Sequence, residues 1–282
     1  RDKEEVIKSF LPVQVKVLGR NKYFFGRIGK VLSIIFQVRS LVKSIDPDII
    51  HSHSLGAYSW ITLFIFGIRT TLTPWGTDVL IDIKKSFFNR LFSILSMKKS
   101  NLITSDALHI KKELVELGIN TSKIKLIYFG TDVELYSRNL DSRKRIREKY
   151  NISPEDIVVI STRTLNPIHD VITTVKSVKT VVTKNPSIKY FIASDGAQRE
   201  YLEEYIREND LQKSVFFPGY MTTSQMVDYL SASDIYVSTS IADAGLAAST
   251  AEAMSALLPC IVTDNAENAI IKAEYYTEKT GK

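Results

Sequence analysis

The sequence has only one cysteine, Cys260, so no disulfide can form within the chain. Cys260 follows a proline in an apolar stretch, which is typical of a small core residue. The four histidines, at positions 51, 53, 109 and 169, do not have the spacing of a zinc site. The sequence therefore predicts a protein of a reducing, cytoplasmic compartment, without a metal site.

Long apolar runs are also missing. The most apolar stretch, 57–68, is shorter than the ~20 residues that a membrane span takes. Between 28 and 45, apolar residues recur at helical spacing, interrupted by Lys30, Arg39 and Lys43. Two interpretations stay open for this run. One is a helix packed on a sheet, which the strand predicted next at 48–51 favours. The other is a helix in peripheral contact with the inner face of the cell membrane.

The chain contains no Gly-x-Gly-x-x-Gly, no Gly-x-x-x-x-Gly-Lys-Ser/Thr and no nucleophilic triad. Asp46 and Asp48 form an Asp-x-Asp pair, but the pair precedes a predicted strand instead of following it, so a metal role is not favoured. The net charge of +6 is spread along the chain without a basic stripe, and we expect no nucleic-acid partner. The sequence begins at Arg1 with neither a methionine nor a signal peptide, and we expect a fragment.

Short apolar runs alternate with amphipathic stretches, a pattern typical of βαβ units and a mostly parallel sheet. The predicted strands are 12–18, 48–51, 69–73, 101–104, 123–128, 157–161, 189–193, 215–217, 235–238 and 260–263, with helices between them. The helix at 108–117 is predicted to end at Gly118, because glycine takes up the left-handed conformation without strain.

The length of 282 residues favours two domains. Charged residues crowd between 132 and 156, and the run closes on Asn151-Ile152-Ser153-Pro154. This pattern indicates an exposed connecting helix. The sequence thus predicts an N-terminal domain at 1–136, a connecting segment at 137–153 and a C-terminal domain at 154–282.

The segment after the strand at 235–238 is the most informative. A loop of small residues is followed by a helix, with Ser249 or Thr250 as the predicted N-cap and Pro259 beyond its end. Backbone N–H groups near Gly245 and Leu246, together with the helix N-terminus, suit a diphosphate. Glu252 lies in the first turns of that helix, where it can accept hydrogen bonds from a ribose. The alternative is a glutamate that only complements the helix dipole, and spacing alone leaves the two even.

Glu252-Ala253-Met254, followed by Pro259, resembles the signature of the retaining glycosyltransferases of GT-B fold that include bacterial lipopolysaccharide and mannosyl transferases. The resemblance covers roughly residues 45–268. In that family a second glutamate binds the donor ribose, which implies this role for Glu252. A first glutamate contacts the donor sugar; Ala244 takes its place here, and the adjacent Asp243 can supply the carboxylate.

Further motifs match in the same order. The stretch 161–171 resembles the strand end where an arginine and then a lysine clamp the pyrophosphate. Arg163 matches the arginine, and its guanidinium can bind two phosphate oxygens. Ile168 or His169 occupies the position of the lysine, and His169 is a candidate hydrogen-bond donor. Three other stretches also match. Residues 193–199 resemble a structural turn, and residues 129–132 resemble the interdomain crossing. Residues 217–221, which include Met221, resemble the loop that meets the nucleotide base.

Two strand ends in the N-terminal half also match. In the family, the second histidine of a His-x-His pair lies near the reacting sugar, which implies a catalytic role for His53. The run 73–78, Thr-Pro-Trp-Gly-Thr-Asp, resembles a variant that places Trp75 and Asp78 in the cleft. A structural histidine pair, and a buried tryptophan beside a capping aspartate, are the alternatives.

The resemblance implies an α/β protein of GT-B fold, with two Rossmann-like domains facing each other across a cleft, here truncated at both ends. It implies transfer of a hexose from a nucleotide diphosphate sugar, the co-substrate, to a saccharide or lipid-linked acceptor in polysaccharide, glycolipid or glycoconjugate synthesis. Retention at the anomeric carbon is expected, with no metal and no further cofactor. A nucleotide-sugar 2-epimerase-like enzyme and a non-catalytic nucleotide-sugar-binding subunit are the alternatives.

Overall fold

A computed structural model describes residues 26–241, 243 and 245–264. The strand predicted at 12–18 lies outside the described residues. The other predicted strands are confirmed, with ends displaced by a few residues, and they form two separate parallel sheets.

The first sheet has the order β1-β2-β3-β4. Its strands are Ile49–His53 (β1), Arg69–Thr73 (β2), Leu102–Ser105 (β3) and Ile124–Leu126 (β4). Its helices are Gly26–Ile45 (α1), Ala57–Trp60 (α2), Thr77–Leu80 (α3), Phe87–Lys99 (α4) and Leu108–Glu116 (α5), with 3-10 turns at Ile61–Phe64, Asp82–Lys84 and Thr121–Lys123. Leu72, Ile103 and Ile110 pack between sheet and helices. The predicted stop after α5 is confirmed, since Gly118 has a φ of +82°.

The second sheet has the order β7-β6-β5-β8-β9. Its strands are Ile157–Ser161 (β5), Ile188–Ile192 (β6), Val215–Phe216 (β7), Ile235–Ser238 (β8) and Cys260–Val262 (β9). Its helices are Leu140–Lys149 (α6), Val171–Lys184 (α7), Arg199–Glu208 (α8), Thr223–Ala232 (α9) and Ala248–Ser255 (α10), with a 3-10 turn at Pro167–His169. The chain winds outwards from β5 in both directions, as in a Rossmann sheet, so the order reverses between β5 and β8. Ligands of such sheets bind beyond the carboxyl ends of the strands at this reversal.

Both faces of the second sheet are buried. Along β5, Val158 and Ile160 join one core cluster with Phe191, while Val159 joins another with Val175. This alternation follows from the two-residue period of a strand. The near-continuous apolar run of β5 is thus typical of a parallel strand covered by helices on both faces.

Helix α6 lies within the predicted connecting segment, but it is not an exposed connector. Ile146 belongs to the core cluster of Val158. Arg147 is buried and donates to Asp234 at 2.6 Å, and Arg143 donates to the same carboxylate at 2.7 Å. Two members of the charge run that suggested exposure, Arg143 and Arg147, instead share the carboxylate of Asp234 and donate to several carbonyl groups. Helix α6 therefore packs against the second sheet and belongs to the same core.

Among the described helices, none combines the length and the apolar character that crossing a bilayer requires.

Candidate active site

The structure brings Arg163 and Asp243 together at the reversal of the second sheet. Arg163 follows β5 and Asp243 follows β8. The two side chains form an ion pair and are only 10% and 11% exposed, respectively. Arg163 also donates through Nη1 to Ser249 Oγ and through Nη2 to Ser240 Oγ, each at 3.2 Å. The arginine predicted to bind phosphate thus lies at the expected strand end, but its guanidinium group is paired with the carboxylate of Asp243.

This geometry gives Asp243 a partner other than the donor sugar, and its predicted contact with that sugar stays a prediction. Its carboxylate faces Arg163, because a nearly buried arginine without a counter-charge is costly. Arg163 still has free donor capacity, since its Nε has no hydrogen-bond partner within the described part of the chain. The hydroxyl of Ser161, at the end of β5, likewise has none among those residues. Two buried polar groups at this strand end therefore remain without a partner among the described residues.

The N-terminus of α10 differs from the prediction. The N-cap is Ala247, no side chain caps the helix, and Ser249 and Thr250 lie inside its first turn. Ser249 is not the cap because its hydroxyl accepts from Arg163 and, at 3.0 Å, from the hydroxyl of Tyr236. The first N–H groups of α10 thus have no side-chain acceptor among the described residues, and the helix N-terminus favours an anion.

Glu252 lies on α10 and is half-buried. Burial raises its pKa, while a hydrogen bond from the hydroxyl of Tyr136 lowers it. In return, burial and the charge of Glu252 raise the pKa of Tyr136 to about 12. Sequence reasoning did not identify Tyr136, and its only signal was its position shortly after the crossing motif at 129–132.

Neither residue at the position of the missing lysine supplies a cation. The Nδ1 of His169 is 2.8 Å from the carbonyl oxygen of Thr164, so Nδ1 carries the proton and Nε2 of the neutral ring is an acceptor. Burial lowers the pKa of His169, although the charge of Asp243 opposes this. The carbonyl group of Ile168 accepts from the backbone of Ile241 at 2.9 Å. The neutral ring of His169 therefore has no further N–H group to donate, and its role in donor binding stays a prediction.

The structure also places the other residues that were predicted to contact the donor, Met221, Gly245 and Leu246. The side chain of Met221 is 8% exposed and packs in the core of the second sheet, whereas the adjacent Tyr220 is 84% exposed. A contact between Met221 and the base can thus involve only its backbone, and it stays a prediction. Gly245 and Leu246 precede α10, as expected, and Gly245 is buried.

Asp78 is structural. It is 4% exposed, and its carboxylate accepts from the backbone N–H groups of Leu55 at 2.7 Å, Trp75 at 3.0 Å and Val79 at 3.0 Å. It also accepts from the hydroxyl of Ser54 at 3.0 Å. These bonds tie the end of β1 to the end of β2. This engagement and enclosure favour the alternative of a capping aspartate, and the catalytic role of Asp78 stays a prediction.

His53 is exposed at the carboxyl end of β1. Its ring lies 4.2 Å from that of His51 and 5.7 Å from that of Trp75. His51 Nε2 is 2.7 Å from the hydroxyl of Thr73, and burial together with the charge of His53 lowers the pKa of His51. His53 is thus accessible to a ligand, and its catalytic role stays a prediction.

The two sheets meet at Gly245. A Cβ atom at this position would lie 3.0 Å from the carbonyl oxygen of Asp106 and 3.3 Å from the Cβ of Ala107, so a larger residue would push these neighbours apart by a few tenths of an ångström. Asp106 directly follows β3, and sequence reasoning did not identify it. Burial and repulsion from Asp78 raise its pKa, and its Oδ1 has no partner among the described residues. An acidic residue at a strand end was the signal that could have identified it.

Within 26–241, 243 and 245–264, no group of three or more histidine, cysteine, aspartate or glutamate residues has the arrangement of a metal site.

Two family models match the chain. Residues 2–135 match the model described as Glycosyltransferase Family 4, and residues 142–277 match the model described as Glycosyl transferases group 1. Between them the two matches leave few residues uncovered. The chain belongs to the GT-B glycosyltransferases. This confirms the predicted family and fold class.

Several solved structures resemble this glycosyltransferase. HepE of Anabaena, solved with UDP and glucose, has a TM-score of 0.78 at 18% identity, with 95% of this chain and 72% of that chain covered. Sucrose-phosphate synthase of Thermosynechococcus elongatus has a TM-score of 0.73 at 15% identity, covering 91% and 69%. A glycosyltransferase of Rickettsia africae has a TM-score of 0.66 at 16% identity, covering 94% and 75%. A comparison with curated proteins finds no match.

Proposed function

We propose that this glycosyltransferase moves a hexose from a nucleotide diphosphate sugar to a saccharide or lipid-linked acceptor. Retention at the anomeric carbon and independence from metal ions are part of the proposal. One observation carries it: a nearly buried arginine with spare donor capacity lies at the reversal of the second sheet, next to a helix N-terminus without a side-chain cap. The HepE structures hold UDP, UDP-glucose, or UDP and glucose, so a uridine donor is the first to test.

Departure of the nucleoside diphosphate leaves negative charge on the β-phosphate. Arg163 and the N–H groups at the start of α10 stabilise that charge as it develops, which is electrostatic catalysis of the leaving group. Glu252, ionised, accepts hydrogen bonds from the ribose hydroxyls. His53, on the other side of the cleft, contacts the sugar being transferred. Closure of the cleft excludes water, which would otherwise hydrolyse the donor.

The test is calorimetric titration of UDP into the parent protein and into Arg163→Ala, Arg163→Lys and Glu252→Ala. Charge-assisted hydrogen bonds of this kind contribute ~1.5–3 kcal/mol, so Arg163→Ala and Glu252→Ala should each weaken binding roughly 10- to 100-fold. Arg163→Lys should also weaken it, because an ammonium ion lacks the two-pronged contact. Arg145→Ala is the matched control, since Arg145 is an exposed arginine paired with Asp228. Unchanged affinity in Arg163→Ala would refute the proposed donor site.

A second candidate function is a non-catalytic subunit that binds a nucleotide sugar. The neutralised Arg163 and the missing lysine favour it. UDP-glucose incubated with the protein and a panel of acceptors discriminates between the two. Release of UDP with transfer supports the enzyme, binding without release supports the subunit, and an isomerised donor without acceptor supports an epimerase-like activity.

Contact with the inner face of the cell membrane also belongs to the proposal. Helix α1 exposes Leu32 and Phe36, and Arg39 and Lys43 lie on the same helix. Flotation with anionic and neutral vesicles tests it, and equal recovery with both, or none with either, would oppose an electrostatically assisted contact.

A further inference from the structure

Three aromatic side chains from separate segments lie in a row at the carboxyl edge of the first sheet. His53 ends β1, Trp75 follows β2, and Phe129 belongs to the segment that leaves the sheet after β4. The ring of Trp75 stacks on that of His53 at 5.7 Å and 26°, and on that of Phe129 at 5.2 Å and 7°. We propose that this aromatic row binds the acceptor as a saccharide, whose C–H face packs against Trp75 and Phe129.

The row keeps surface for a ligand although its rings contact one another. Nearly parallel rings at these separations are offset, so that each covers only part of its neighbour. Trp75 accordingly remains 45% exposed and Phe129 55% exposed. Exposed aromatic groups that lie next to one another are candidates for a binding site, because leaving them in water is unfavourable.

The chemistry around the row fits a sugar better than a purely apolar ligand. A pyranose ring presents C–H groups on its faces and hydroxyl groups at its rim, so it needs an apolar plane next to hydrogen-bonding groups. The ring of His53 is 5.7 Å from that of Trp75 and 4.2 Å from that of His51, so the row ends in imidazole groups that carry hydrogen-bonding nitrogen atoms. Such a combination of aromatic surface with a few polar groups is typical of small-molecule sites.

The row lies at the same edge of the first sheet as Asp106, which contacts the loop before α10, and the inference rests on the proposed function in this respect. The backbone N–H of Trp75 is held by Asp78. Asp78 lies close enough to Asp106 to raise its pKa, and the backbone of Asp106 lies against Gly245, just before α10. A sugar on the row would therefore lie on the other side of the cleft from the diphosphate site, as an acceptor must.

Tryptophan fluorescence gives a direct test, because the chain has only two tryptophans. Trp60→Phe leaves Trp75 as the single reporter. The probes are the methyl glycosides of glucose, galactose, mannose and N-acetylglucosamine, with and without saturating UDP. Stacking involves the C–H face that all pyranoses share, so at least one probe should change the fluorescence of Trp75 in a saturable manner. Phe129→Leu in this background should weaken that binding about 2- to 10-fold.

Phe87→Leu is the matched control, since Phe87 is an exposed phenylalanine outside the row, and it should leave binding unchanged. UDP affinity should be the same in the Trp60→Phe parent and in Phe129→Leu. The inference is overturned if no glycoside changes the Trp75 signal, or if Phe129→Leu binds as tightly as the parent. Absence of UDP binding in every protein would instead count against the proposed function, while the glycoside titration would still report on the row.

Discussion

Replacement of Asp243 by asparagine separates two roles for this residue. In the structure its carboxylate pairs with Arg163, where a phosphate of the donor is proposed to bind. The sequence suggested instead that Asp243 contacts the donor sugar. If the ion pair competes with the donor, Asp243→Asn should tighten UDP binding. If the carboxylate contacts the sugar, the same change should weaken binding of UDP-glucose and leave UDP unaffected.

The expected size follows from the burial of the pair. Both side chains are about nine-tenths buried, so the donor must displace a strong, poorly screened interaction. A charge-assisted hydrogen bond contributes ~1.5–3 kcal/mol, which sets the expected gain in UDP affinity at roughly 10- to 100-fold. Without nucleotide, the unpaired Arg163 should lower stability by ~3 kcal/mol, the lower end of what breaking a buried pair costs, because Ser240 and Ser249 remain as acceptors.

Calorimetry with UDP and UDP-glucose, combined with thermal unfolding, measures both effects. UDP should raise the Tm of Asp243→Asn more than that of the parent, since stabilisation grows with the ratio of ligand concentration to Kd. The double variant Arg163→Ala/Asp243→Asn is the control: the gain should vanish, because Asp243 acts through Arg163. Weaker UDP binding in Asp243→Asn would refute the competition argument.

Burial raises the pKa of Glu252, so the affinity for UDP should be full above this raised pKa and should fall as the pH is lowered through it. Calorimetric titrations across pH should show this fall in the parent and not in Glu252→Gln. Asp78→Ala should destabilise the fold by ~3–5 kcal/mol, because three backbone N–H groups lose their acceptor. A urea titration that showed the stability of the parent would contradict this structural role. Because burial lowers the pKa of His169, His169→Ala should leave the pH profile of activity unchanged near neutrality, whereas His169→Lys should tighten UDP binding by adding a cation. A fall in activity of the parent as the pH rises through the pKa of His169, absent in His169→Ala, would restore its predicted role in donor binding.

Much of the fold was predictable because strand patterns in parallel sheets are strong. The apolar run of β5 and the glycine after α5 carry their physical reason within a few residues. The role of α6 was not predictable in this way. Arg143 and Arg147 look solvated in the sequence, and only the distant Asp234, which follows α9, reveals that they face inwards.

The same limit applies to the candidate site. Arg163 and Glu252 were identified from local motifs, and the structure places both at the expected strand end and helix. Three other features depend on contacts between residues far apart in the sequence. These are the ion pair of Asp243 with Arg163, the burial of Met221 and the enclosure of Asp78. Which groups a carboxylate contacts in the fold cannot be read from the residues beside it.

The anchoring of α6 has a practical consequence for building hybrid enzymes. Ile146, Arg147 and Ile152 are buried against the second sheet, so a junction at the predicted boundary before residue 154 would leave the grafted half without part of its own core. A junction within 127–138 would keep α6 with the half that it packs against. Exchange of donor specificity between relatives should therefore succeed when the transplanted piece begins at or before Asn139, whose side chain caps α6.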